Sequence, residues 1–145
     1  MRKKKKQTFR QGIYTVKNRE QYAGTKPPIF RSSWELSFME HLDGHEKVKG
    51  WCCECVVVPY FFSGKRRRYY PDFLIVWKDE SKQVIEIKPY RETKQPRQSK
   101  KKSRKTMLYE QMTYCKNQAK WEAANEFCRK KGWDFKVLTE KDITI

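Results

Sequence analysis

No stretch of this 145-residue chain approaches the roughly 18 to 20 consecutive apolar residues that a membrane-spanning helix requires, so a helical transmembrane protein is excluded. The start, Met1-Arg-Lys-Lys-Lys-Lys6, is cationic but has no apolar run behind it, and no secretory leader is expected. A disulfide framework is missing as well. The five cysteines (Cys52, Cys53, Cys55, Cys115, Cys128) are odd in number and adjacent or scattered, which predicts reduced thiols and a cytoplasmic protein. No internal repeat is present. Acidic residues are scarce: 17 Asp and Glu face 34 Lys and Arg, a net charge of +17.

That surplus repels itself unless an anionic partner binds it. Nucleic acid is the default partner, because Lys and Arg that neutralise phosphates release condensed counterions and gain affinity without reading sequence. An anionic membrane surface fits less well, since neither basic run carries the apolar face of an interfacial helix. With 37% apolar and 14% aromatic residues the chain can bury a core, while 35% charge and a mean hydropathy of -1.02 keep much of it solvated. The length suits a single domain of 12–145 behind a flexible basic arm of 1–11, with a mobile basic loop near 93–105.

Ser32 and Glu35 form a capping box ahead of Leu36, Phe38, Met39 and Leu42, predicting a helix that Gly44 ends. Val48 to Tyr60 reads as one strand, Ser63-Gly64-Lys65 as a turn, and Arg67 to Trp77 as a second strand. Lys78 to Lys82 is a hairpin loop and Gln83 to Lys88 a third strand. A long helix from about Thr106 to Lys131 follows from the spacing of Leu108, Met112, Cys115, Ala119, Ala123 and Phe127, with Gly132 as its C-cap. Trp121, Ala124 and Cys128 make a second apolar stripe, and Phe135 to Leu138 a last strand. This order predicts an α/β domain with a mixed central sheet flanked by helices.

The chemistry concentrates in Pro71-Asp72 at the start of one strand and Glu86-Ile87-Lys88 at the end of the next. With the loop centred near Glu80, Asp72 lies opposite Lys88 and diagonal to Glu86, and Glu86 and Lys88 share a face. Two carboxylates and an ammonium at the margin of an apolar core are costly unless paired. A hard cation such as Mg²⁺, with Mn²⁺ able to substitute, resolves that conflict, because it takes one or two carboxylates and completes its shell with water and phosphate oxygens. Lys88 would orient the attacking water and offset charge on the transition state. Each residue also has a structural explanation alone: Asp72 in a turn, Glu86 and Lys88 as a surface ion pair, Glu35 as a helix cap. His41-x3-His45 with Cys52-Cys53-x-Cys55 offers soft ligands for zinc, but the adjacent Cys-Cys pair makes the spacing atypical of a zinc knuckle.

Pro71-Asp72, thirteen intervening residues and Glu86-x-Lys88 resemble the PD-(D/E)xK signature of the restriction-endonuclease-like superfamily. Within it, the Tyr-Ala-Gly segment at 22–24, Arg31-Ser-Ser-Trp-Glu35 and Ala119-Lys120-Trp121-Glu122-Ala-Ala124 look most like the head completion nucleases of T-even-type phages. The chain is also similar to TnsA-type transposon endonucleases. The resemblance implies a restriction-endonuclease-like core, a Mg²⁺-dependent DNA endonuclease, and products with 5′-phosphate and 3′-hydroxyl. It implies catalytic roles for Asp72, Glu86, Lys88 and Glu35, and metal ligation by Asp72, Glu86, the Ile87 carbonyl and Glu35. Arg31, Arg66, Arg67, Arg68, Lys100, Lys101, Lys102, Arg104 and Lys120 are the expected DNA contacts, with little base reading because no recognition helix stands out. The setting implied is phage head completion in the host cytoplasm, with head or portal proteins as partners and association with the virion. The alternatives are a non-catalytic basic DNA- or head-binding module and a transposon-type end-cleaving enzyme.

Overall fold

The computed structural model describes residues 11–143, so the expected basic arm lies almost wholly outside the described residues. Two short strands, β1 (Gly12–Ile13) and β2 (Ile29–Phe30), pair antiparallel and lead into helix α1 (Ser33–Leu42). The capping box is formed as the sequence predicts: Ser32 Oγ accepts the Glu35 N–H at 3.1 Å. Beyond α1, Asp43 ties down the segment before β2. Its carboxylate accepts the Tyr14 hydroxyl (2.6 Å), the Lys17 N–H (2.8 Å), and the Asn18 N–H and Nδ2 (both 2.9 Å).

The expected strand from Val48 to Tyr60 is two strands, β3 (Val48–Cys53) and β4 (Val58–Phe62). Between them Glu54 has φ +50°, in the left-handed region that breaks a ladder. A Cys52–Cys55 disulfide closes the same turn, which corrects the expectation that these thiols are free; Cys53, Cys115 and Cys128 remain unpaired. The expected strand from Arg67 to Trp77 is likewise two, β5 (Lys65–Tyr69) and β6 (Phe73–Trp77). Pro71 has no N–H to give a ladder, and the chain changes sheet there. β4 and β5 form a separate hairpin about the open Ser63–Gly64 turn, where a Cβ on Gly64 would meet nothing within 4 Å.

β6 turns through 78–81, with Glu80 at φ +73°, into β7 (Lys82–Ile87). After a 3-10 turn at Tyr90–Thr93 and a polar loop, α2 runs from Arg104 to Lys131, two residues earlier than the apolar pattern implies. Ser103 caps its start, and Gly132 ends it at φ +72°. The last strand, β8 (Asp134–Leu138), lies parallel to β7.

The central sheet has the order β3-β6-β7-β8, antiparallel except at its last pair, and is the mixed α/β sheet the sequence predicts. Alternation along β6 and β7 gives it two apolar faces. Phe73, Ile75, Ile85 and Ile87 join α1 residues Phe38, Met39 and Leu42 and the β3 residue Trp51 in one core. Val84 packs on the other side with Trp121, Ala124 and Cys128 of α2 and with Val58, Tyr60 and Tyr69 of the hairpin. The second stripe on α2 is thus the buried one. Leu108 and Met112 of the first stripe are exposed, as is Cys115, because the N-terminal half of α2 runs beyond the sheet and faces the polar loop.

Candidate active site

The β6–β7 ladder pairs Phe73 with Ile85 and Leu74 with Val84, so Asp72 comes level with Glu86 rather than with Lys88. This is a slip of two residues from the expected register, and because side chains alternate with a period of two it leaves every side chain on its expected face. Asp72 and Glu86 therefore stand abreast at one end of the sheet, on the α2 side. The sequence places Asp72 there because Pro71 stops the hairpin strand and the aspartate is the last residue before the apolar run of β6.

Local contacts fix both carboxylates. Asp72 Oδ2 accepts the N–H of Ile87 at 2.8 Å, and its main-chain oxygen accepts the Glu54 N–H at 3.1 Å. Glu86 is only 6% exposed and its Oε2 accepts the Tyr69 hydroxyl at 2.7 Å. Lys88 Nζ lies 3.9 Å from Glu86 Oε1, while its N–H continues the parallel ladder to Leu138. Lys120 on α2 lays its ammonium over the Tyr69 ring, 5.5 Å from the centroid, and so reaches the same cluster.

Burial pushes the Asp72 carboxyl well above the usual carboxylate range, reinforced by the neighbouring charges of Glu86 and Glu35 and opposed by the Ile87 N–H and Lys88. Glu86 is also raised by burial, against the Tyr69 hydrogen bond and the Lys88 charge. The same burial, and then the charge of Lys88, lowers the pKa of Lys120. Glu35 is raised by burial and held back by Ser32 and Arg31, and its charge acts on Asp72. Crowded, desolvated carboxylates beside two lysines are a site with unmet demand for positive charge.

Among the described residues, no three of His, Cys, Asp and Glu form a ready-made metal cluster, and the Cys52–Cys55 disulfide consumes two of the ligands that zinc would need. Asp72 with Glu86 is nevertheless a pair of oxygen donors of the kind a small hard cation accepts, one that completes its shell with water and phosphate oxygens. Glu35 lies within electrostatic reach of this pair without completing such a cluster.

The expected DNA contacts divide. Arg66 and Arg68 are exposed on one face of the hairpin, whereas Arg67 points to the other face, donating Nε to the Phe62 carbonyl at 3.3 Å and covering the Phe62 ring. The three arginines are not one bank. Arg31 is engaged in an ion pair with Glu54. Lys102 is held inward by Glu110 (2.7 Å) and the Arg97 carbonyl (2.8 Å), while Lys100, Lys101 and Arg104 are exposed. Tyr69, which follows the three arginines and is absent from the residues expected at the site, is buried against Glu86. Its position two residues from Arg67 on the inward face of β5 was the one available signal.

A family profile for the N-terminal domain of TnsA-like endonucleases matches residues 45–140, which include Asp72, Glu86, Lys88 and Lys120 but not Glu35. Over 138 residues the chain is 38% identical to the head completion nuclease of Enterobacteria phage T4, covering 89% of this chain and 90% of the relative. With the mixed sheet, its flanking helices and the paired carboxylates at the sheet end, these likenesses show that the chain belongs to the nuclease family of the TnsA-like endonucleases and phage head completion nucleases, with a restriction-endonuclease-like fold.

Proposed function

We propose that this chain is a Mg²⁺-dependent DNA endonuclease that hydrolyses phosphodiester bonds during phage head completion and DNA packaging. It works in the host cytoplasm and on the virion, alongside head or portal proteins. The observation that carries this reading is the pair Asp72 and Glu86, level on adjacent strands, desolvated and flanked by Lys88 and Lys120. The name of the T4 relative supports the setting.

Asp72, Glu86 and the Ile87 carbonyl would hold the cation, Mg²⁺ or Mn²⁺ in its place, with Glu35 anchoring a water or a second ion from the α1 side. When bound, the ion supplies Lewis-acid stabilisation of charge on the phosphoryl group. Lys88 extends from the end of β7 to orient the attacking water and offset the same charge. Tyr69 keeps the Glu86 carboxylate in one orientation, and Lys120 contributes a second positive charge from α2. Exposed Arg66, Arg68, Lys100, Lys101 and Arg104 grip the DNA backbone.

Nicking of supercoiled plasmid tests this reading. Wild-type protein cuts with Mg²⁺ or Mn²⁺ and stops with chelator, while Asp72→Asn and Lys88→Ala lose about 100-fold or more yet keep salt-sensitive DNA binding. A folded wild-type protein that binds plasmid and never nicks it with either ion overturns the enzyme and leaves a basic binding module.

A further inference from the structure

Away from the carboxylate pair, the molecule has a concave feature of a different character. A cavity of about 570 Å³ opens between the 3-10 turn at Tyr90–Thr93, the loop after it, and the N-terminal half of α2. Its α2 wall carries Tyr109, Tyr114 and Asn117, and Arg91, Lys94 and Arg97 stand on the facing segment. Asn117 is only 5% exposed, a buried amide at the wall of an open cavity, whereas Tyr109 is 73% exposed. Glu110 in the same wall is already neutralised by Lys102, and with Glu92 as the remaining acid the rim is net positive.

The elements that line the cavity continue from those that carry the site, although Asp72, Glu86, Lys88 and Lys120 do not themselves line it. Its 3-10 turn begins two residues after Lys88, and on α2 Asn117 precedes Lys120 by less than one turn, about 5 Å along the axis. Tyr109 lies about 16 Å from Lys120 along the same helix, a span of a few nucleotides. A purely phosphate-binding groove has no use for two aromatic rings and a buried amide. A base needs all three, with faces to stack on and an edge to hydrogen-bond, while the cations take its phosphates. A paired base within a duplex is stacked on both sides and cannot enter. The volume falls within the roughly 300–1,000 Å³ of small-molecule sites.

We propose that this cavity receives an unpaired nucleotide of the DNA strand next to the bond being cut, so that the enzyme favours duplexes carrying a single-stranded tail. The inference rests on the DNA-cleaving function proposed above.

The test uses the full chain as Asp72→Asn, which binds without cutting, and short duplexes that are blunt or carry a single-stranded tail containing 2-aminopurine. Tailed DNA binds about 10-fold tighter than blunt DNA, the magnitude of one stacked base, and the fluorescent base is quenched on binding. Adding Tyr109→Ala and Tyr114→Ala removes the tail preference and the quenching and leaves blunt-duplex affinity and the melting temperature unchanged. The same two substitutions in the otherwise wild-type chain leave plasmid nicking unchanged. Equal affinity for blunt and tailed DNA with no quenching overturns the cavity's role, as does an equal loss on both substrates in the tyrosine variant. A wild-type protein that nicks plasmid but shows no tail preference disproves the cavity alone. One that never nicks yet captures and quenches the tail disproves the nuclease reading and upholds the cavity.

Discussion

At the scale of single residues, the cost of the site is electrostatic. Asp72 keeps its proton to higher pH in the folded protein than in the unfolded chain, because burial and two neighbouring carboxylates disfavour its charge. The folded state therefore binds more protons over that interval, and the metal-free protein loses stability as pH rises from the ordinary carboxylate range through the raised value. Asp72→Asn removes this penalty and retains an oxygen to accept the Ile87 N–H. The variant should melt above the wild type at pH 8 in the absence of divalent ions, with the gap closing toward pH 4; differential scanning calorimetry across that range reads both. Tyr69 acts in the opposite sense. Its hydroxyl stabilises ionised Glu86, so Tyr69→Phe should lower cleavage about 10- to 100-fold at limiting Mg²⁺ and move the rising limb of the pH–rate profile to higher pH. A flat loss without that displacement would make Tyr69 a packing residue only.

Secondary-structure elements were legible where their signals are local. The capping box at Ser32, the Gly132 terminus and the apolar runs of β6, β7 and β8 all appear where the chain places them. The carboxylate pair was legible too, since an error of two in register does not change which face a residue occupies. Most of what the chain conceals is non-local. The break between β3 and β4 is the local exception: Cys52 and Cys55 stand three residues apart, a spacing that admits a bridge, but the β-branched and aromatic run around them masks the left-handed turn at Glu54. Tyr69 and Glu86 are 17 residues apart and meet only because the hairpin folds onto α2. The apolar spacing from Leu108 to Phe127 is real, but its first half has no partner layer. Asp43 is another such bond across distance, fastening the segment before β2 to the end of α1. Burial raises its pKa, but the Tyr14, Lys17 and Asn18 bonds outweigh this and leave it below the usual range. Its stabilisation is present at neutral pH and is lost as pH falls through the lowered value. Asp43→Ala should cost about 1–3 kcal/mol at pH 7, measured by urea unfolding, and much less in strong acid.

For the whole molecule, charge would set how DNA is held in the proposed reaction. A net charge of +17 predicts affinity that falls steeply with salt and hardly varies with sequence. Titrations between 50 and 200 mM KCl should lose about 1,000-fold if six or so phosphates are contacted, and scrambling the duplex sequence should change little; a flat salt response would contradict a backbone grip. The chain also crosses from the hairpin into the central sheet immediately before Asp72. The open turn at Ser63–Gly64 thereby parts the molecule into two pieces. Glu35 belongs to the first, and Asp72, Glu86, Lys88 and Lys120 belong to the second. A protein divided at that turn must zip β4 to β5 and β3 to β6 before α1 and the carboxylate pair meet again, which makes this nuclease a natural substrate for split-enzyme reconstitution, its cutting switched on by whatever brings the two pieces together.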